Sequence, residues 1–201
     1  LYDLLGRVEH RDMREATVAQ FMRRYHVDPE QAARVGALAV GIYDALAVSR
    51  REDAPREDDP DRTLLGWAAR VAEIGLSIAH AEYHKHSAYV LQNADMPGFS
   101  RMEQQRLARI VLAHRGKLGK VRDTGLEDGD WSLVFALRIA ALIHRSRAEG
   151  RLPFLRVAGD ESGFSMELPQ AWLDDNALSA AALETEAESW KALGMRFTFS
   201  G

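Results

Sequence analysis

The sequence predicts a mainly α-helical protein that closes with a small α+β unit, and three observations carry that prediction. Apolar residues recur at three- and four-residue spacing through the first two-thirds of the chain, the period of a helix with one buried face. Asp, Ser and Pro stand ahead of several of these runs, where the free N–H groups of a helix start need acceptors. After Gly150 the spacing changes, and short runs rich in Phe, Leu and Val flank the turn-rich A-G-D-E-S-G, which reads as a hairpin. The predicted organisation is a helical domain over 1–148 and a small α+β domain over 149–201.

From the N-terminus, Arg11 or Asp12 opens a segment in which Val18, Phe21, Met22 and Tyr25 recur at helical spacing, with Asp12 the better N-cap. The next start is sharper: Asp28 is the N-cap, Pro29 sits at N1, and Gln31 at N3 completes a capping box. Behind it Ala32, Val35, Leu38, Ala39, Ile42 and Leu46 make one long apolar face. Residues 50–62 hold no large apolar side chain and two prolines, and read as an exposed, mobile loop. Leu64 to Leu76 reads as a buried helix with Leu65, Ala68, Ala69, Ala72 and Leu76 on its packed side, and Gly75 as a point of close approach. His86 to Asn93 is a short helix ended by the turn at Asp95-Met96-Pro97-Gly98. Ser100 and Glu103 form a second capping box, followed by Gln104 to His114 with Leu107, Ile110, Val111 and Leu112 inward. Trp131 to His144 is the last long helix of this part. Leu152 to Val157 and Phe164 to Leu168 are the hairpin strands. Asn176 to Leu193 is an amphipathic helix with Leu178, Ala182, Leu183, Ala187 and Trp190 on one face. Gly194 ends it, and Met195 to Phe199 alternates like a strand. A unit of about 50 residues is too small to be stable alone, so it packs on the helical part or on a partner.

Composition narrows the function. With 201 residues and 46% hydrophobic content the chain can bury a real core. It has no cysteine, which excludes disulfides and thiolate metal sites and suits a reducing compartment. No unbroken apolar run reaches the roughly 18 residues of a membrane span, and no signal peptide is visible, so a soluble, cytoplasmic protein is expected. The chain begins at Leu1 without a methionine, which points to a piece of something longer. Its formal net charge of −4 gives it no general affinity for polyanions, and without an aromatic-basic surface pattern no nucleic-acid partner is expected.

The chemistry concentrates between Val71 and Phe99, where His80, His84, His86 and Glu73 share one short segment with a Pro-Gly turn. His84 and His86 are two residues apart and would point to different sides of a helix, so they do not ligate one metal from regular helix. They fit better at a loop-to-helix junction, where imidazoles and free backbone N–H groups favour an anion. Downstream, Arg101, Arg106, Arg109, Arg115, Lys117, Lys120 and Arg122 face only Glu103 in the same stretch. His84, Lys85, His86 and His114 join that patch if the two segments pack side by side. The alternatives are an anion lane and an ordinary solvated helix face. Trp67, Trp131, Trp172 and Trp190 read as packing residues, and His10, His26 and His144 as isolated histidines near helix ends.

These residues also carry a resemblance. W-A-A-R-V-A-E-I-G-L-S-I-A-H (67–80), Y-H-K-H-S-A-Y-V-L-Q-N-A-D-M-P-G-F (83–99), L-A-x-x-V-x-x-H-R (107–115), L-R-I-A-A-L-I-H-R-S-R (137–147) and P-Q-A-W-L-D-D-N-A-L (169–178) resemble the C-terminal half of the exopolyphosphatase/guanosine pentaphosphate phosphatase family, Ppx/GppA. The H-K-H-S-A-Y wording and the H-R pair are more similar to the exopolyphosphatase branch. The resemblance implies an HD-like helical domain followed by a small α/β domain, which extends a polyphosphate-holding groove and supports a homodimer, with Trp172 or Trp190 contributing. It also implies that an absent actin-like N-terminal half holds the phosphate loops, the magnesium site and the catalytic glutamate. No catalytic residue and no cofactor are then expected in this chain.

An HD phosphohydrolase needs a His, a His-Asp pair and a distant Asp around a metal that activates water. The family pattern places Gln31, Ala72-Glu73 and Ala141 at those positions. One carboxylate does not hold a catalytic metal, so Glu73 is expected to be satisfied by a neighbouring arginine or histidine. Two function classes remain: a polyphosphate-binding and assembly module, and a self-sufficient HD-type phosphohydrolase. Under the first, His84, Lys85, His86, His114, Arg115 and Lys117 are the candidate contacts, with histidine contacts strengthening as pH falls through about 6.5.

Overall fold

A computed structural model describes residues 2–50, 55–147, 155–160 and 162–201, with side chains from Met13 onward. Six helices come first: α1 (Tyr2–Arg24), α2 (Pro29–Ser49), α3 (Pro60–Val71), α4 (Tyr83–Asn93), α5 (Arg101–Ala113) and α6 (Asp130–Ile143). Short 3-10 turns follow α3 at Ile74–Ser77 and α6 at His144–Ser146. The hairpin β1 (Arg156–Asp160) and β2 (Gly163–Glu167) leads to α7 (Gln170–Asp175), α8 (Ala177–Lys191) and β3 (Arg196–Ser200). The sheet order is β1-β2-β3: β1 pairs antiparallel with β2 (Val157 opposite Met166), and β2 pairs parallel with β3 (Phe164 opposite Phe197). A parallel return needs a long crossover, and α7 with α8 supplies it.

The local signals act as physical chemistry requires. Asp28 accepts the N–H groups of Glu30 and Gln31 at the start of α2. Ser100 and Glu103 satisfy each other's backbone N–H at the start of α5. α2 is long and apolar enough to cross a membrane by length and composition alone, with mean hydropathy 1.4. Here its Val35, Ala39, Ile42 and Leu46 are buried, and it packs against α3, α6 and β1. α6 is buried all round from Leu133 to Ala140, as a helix at the centre of a domain must be. One continuous core joins both parts of the chain. Phe135 of α6 stacks on Phe164 of β2 at 4.1 Å between ring centroids, and Trp190 of α8 lies edge-on to both. The terminal unit therefore packs on the helical part.

Several expected boundaries move, each for a local reason. α1 begins at Tyr2, so Asp12 lies inside a helix; residues 2–12 contain no proline and favour continuation. Gln31 does not close a capping box. It faces inward, and its Nε2 donates to the buried His144 carbonyl at 2.9 Å. α3 starts at Pro60 behind an Asp59 cap, which takes Asp61 and Arg62 out of the expected loop; residues 51–54 lie outside the described ones. It stops at Val71, because the Ser87 hydroxyl donates to the Ala72 carbonyl at 2.7 Å and accepts the Gly75 N–H at 2.9 Å. Gly75 is indeed a close approach: a Cβ there would lie 2.1 Å from the Tyr83 carbonyl oxygen. α4 opens at Tyr83 rather than His86, behind Glu82 in the left-handed region. β1 starts at Arg156, and Leu152 to Phe154 lie outside the described residues. Leu178 is 77% exposed instead of packed, Leu112 is only partly buried, and α7 was not foreseen. Trp190 is fully enclosed and offers nothing to a dimer surface.

A cation-lined groove at the candidate functional site

A groove of about 970 Å³ opens where α2, the end of α3, the start of α4, the turn after α5, the end of α6 and α8 converge. Gln31, Ala72, Glu73 and Ala141, the residues at the four HD positions, all line it. The helices thus bring the expected quartet together while the side chains are wrong for a metal. Among the described residues no group of three His, Cys, Asp or Glu side chains converges to hold one. Instead the Arg147 guanidinium donates to Glu73 at 2.6 Å and to Asp28 at 3.1 Å. Glu73, which lies in the turn after α3, is satisfied by an arginine, as expected of a lone carboxylate in an apolar segment. The residues present do not fit a catalytic metal.

The groove carries five cationic side chains, Arg115, Lys117, Arg138, Arg145 and Arg147, against the carboxylates Glu73 and Glu186. Both carboxylates are already engaged, Glu73 by Arg147 and Glu186 by Arg138. Arg115, Lys117 and Arg145 have no acidic partner among the described residues, although Arg145 donates to the Leu178 carbonyl at 2.7 Å. A concave wall with uncompensated positive charge concentrates anions. The rest of the lining mixes apolar residues, including Val35, Leu76, Leu142 and Leu178, with polar ones such as Gln31, His80, Thr185 and Ser189.

Of the six candidates from sequence, His114, Arg115 and Lys117 line the groove. His84 sits buried behind it, with its ring 6.3 Å from that of His114. Lys85 points outward and pairs with Glu82, and His86 is half-buried away from the lining. The His114 Nδ1–H donates to the Val111 carbonyl at 2.5 Å, and the Tyr83 hydroxyl donates to Nε2 at 3.4 Å. Burial above all, with the nearby charges of Arg138 and Arg115, pushes the His114 pKa down to about 3. Burial also lowers His84, whose Nδ1 is enclosed without a partner, and Lys85 and Arg115 add to the effect. Both rings therefore take up a proton less readily than a free imidazole, which runs against the expected histidine response at these two positions.

The basic stretch from Arg101 to Arg122 does not form one lane. Arg106 is held by Asp61 and Asp130, Arg109 by the Gly125 carbonyl, Arg101 by that of Gln92 and Arg122 by that of Leu193. Sequence reasoning missed Arg138, Arg145 and Arg147 as groove cations, and Tyr83 beside them. The spacing of Arg138, Leu142 and Arg145, four and then three apart, is the helical-face signal that would have found two of them.

Comparison with known proteins places this geometry. Residues 13–187 match the family model described as Ppx/GppA phosphatase, domain III. The chain belongs to the Ppx/GppA phosphatase family. It is 33% identical over 199 residues to a guanosine-5'-triphosphate,3'-diphosphate pyrophosphatase of Pseudoalteromonas translucida, covering 98% of this chain and 39% of that protein. A protein of the same name from Aeromonas hydrophila is 32% identical over 202 residues, with 96% and 39% covered. The chain thus spans about two-fifths of the length of the curated Ppx/GppA relatives it matches.

Proposed function

We propose that this chain is the substrate-holding domain of a Ppx/GppA phosphatase, and that its groove binds the phosphoanhydride chain of a substrate hydrolysed by the rest of the protein. The observation that carries this reading is the charge of Arg115, Lys117 and Arg145, without an acidic partner among the described residues, on a wall where no metal set converges among them. Guanidinium and ammonium groups on a concave surface suit a linear polyanion, and counterion release adds to the affinity. The chemical step, with its magnesium, is assigned to the N-terminal half, and the groove's task is to hold and orient. A homodimer that joins two such domains belongs to the same proposal.

Inorganic polyphosphate is the substrate that the sequence wording favours. A guanosine nucleotide with a 5'-triphosphate and a 3'-diphosphate is favoured by the relatives' names and by the apolar part of the groove wall, which suits a nucleoside. Both present the same phosphoanhydride chemistry. Calorimetric titration of the chain with inorganic tripolyphosphate, long-chain polyphosphate and that nucleotide separates them. Binding of any of the three supports the groove reading, and the tightest names the branch. No binding at low salt, or metal-dependent phosphate release by this chain alone, contradicts it.

A further inference from the structure

Tyr83 stands between the buried histidines and the groove. It is 8% exposed, lines the groove, and reaches His114 with its hydroxyl. The Arg115 guanidinium lies 5.2 Å from the ring centroid, within cation–π range, and its side chain also hydrogen-bonds the Tyr83 hydroxyl. His114 in turn is fixed by the Val111 carbonyl, which dictates the tautomer: Nδ1 carries the proton, so Nε2 is free to accept from the tyrosine. The chain of contacts runs from the backbone of α5 through His114 and Tyr83 to Arg115. An exposed arginine otherwise samples many rotamers, and ordering it at the moment of binding reduces affinity.

We propose that Tyr83 is a positioning residue for anion binding, holding the Arg115 guanidinium against the groove wall while His114 holds the Tyr83 hydroxyl. The proposal rests on the groove reading above. Tyr83 touches no substrate phosphate in this scheme. Its ring supplies the platform, and its hydroxyl fixes the ring. The burial that raises the Tyr83 pKa keeps the hydroxyl protonated and therefore a donor.

The test is a double-mutant cycle on the full chain, with inorganic tripolyphosphate as the probe at several salt concentrations. Arg115→Ala should weaken binding and lower the slope of log affinity against log salt by about 0.7 to 0.9, the value for one lost phosphate contact in nucleic-acid systems. Tyr83→Phe keeps the ring and should weaken binding about threefold, while Tyr83→Leu removes the platform and should cost about tenfold, in line with cation–π and charged hydrogen-bond magnitudes. In the Arg115→Ala background both tyrosine effects should vanish, which a purely structural role would not produce. Thermal melts check folding, and Tyr83→Phe, which removes one oxygen from a retained ring, serves as the decisive arm if Tyr83→Leu melts early. If Tyr83→Phe and Tyr83→Leu weaken binding equally in both backgrounds, or not at all, the positioning role is wrong and the groove reading stands. If the unaltered chain does not bind tripolyphosphate, both fail together.

Discussion

Breaking the Arg138–Glu186 pair should cost the protein more than any other single ionic change among the described residues. Both side chains are enclosed, at 6% and 10% exposure, and they join α6 to α8 across the seam between the helical part and the terminal unit. Arg138 Nη2 donates to Glu186 Oε2 at 2.7 Å and to the Gly116 carbonyl at 3.1 Å, while Nη1 donates to the Ala113 carbonyl at 2.7 Å. The Trp190 indole N–H also donates to Glu186, at 2.8 Å. Glu186→Gln keeps a carbonyl for the indole but strands a buried guanidinium, and removing one member of such a pair costs about 3–5 kcal/mol. At about 3 °C per kcal/mol for a chain of this size, the melting temperature should fall by roughly 10 °C. The double variant Arg138→Met/Glu186→Leu leaves no stranded charge. It orphans the Ala113 and Gly116 carbonyls and the Trp190 indole N–H, at about 1 kcal/mol each, so its cost should be about 3 kcal/mol, well below the sum of the two single changes. Urea unfolding followed by far-ultraviolet circular dichroism and tryptophan fluorescence measures both, since Trp190 touches Glu186 directly. A single-variant cost below about 1 kcal/mol, or a double variant as costly as the two singles summed, would refute the account of this seam.

Three further outcomes follow from the same geometry. Gly75→Ala should destabilise by about 3 kcal/mol in urea titration, because its Cβ would sit 2.1 Å from the Tyr83 carbonyl oxygen and 2.6 Å from the Ser87 nitrogen. Ser100→Ala removes one arm of the α5 capping box and should cost about 1 kcal/mol, read as a melting shift of a few degrees. His114 titrates near 6.5 when unfolded and near 3 when folded, so the unfolded state binds the extra proton in between; stability is full above pH 6.5 and declines as pH falls below it. Between pH 7 and pH 5 this histidine should contribute a loss of about 2 kcal/mol. His114→Gln should show a correspondingly flatter profile over that interval, and an unchanged slope would remove His114 as the cause.

What the sequence makes legible and what it hides divide on physical lines. The caps at Asp28 and Ser100, the apolar faces of α2 and α6 and the hairpin are local, and local signals sit in consecutive residues. The break in α3 is not local: it depends on the Ser87 hydroxyl, fifteen residues beyond the carbonyl it satisfies. The parallel pairing of β2 with β3 depends likewise on where α7 and α8 return the chain. At the site, Arg115 and Lys117 were visible as charge, but Lys85, two positions before Ser87, turns outward with its helix. Charge counting also overvalued Arg106, because Asp61 and Asp130 approach it only in three dimensions. The histidines attracted notice by crowding, whereas burial decides their protonation, and burial is a property of the fold.

The groove, not the outward histidine-lysine face, should receive the phosphate chain. Lys117→Ala and Lys85→Ala remove the same charge from opposite sides of that claim. Tripolyphosphate affinity measured for each across a salt series tests it most directly. Lys117→Ala should weaken binding and lower the salt slope by about 0.7 to 0.9, whereas Lys85→Ala should leave the slope unchanged. Equal effects of the two substitutions, or a larger effect of Lys85→Ala, would contradict it.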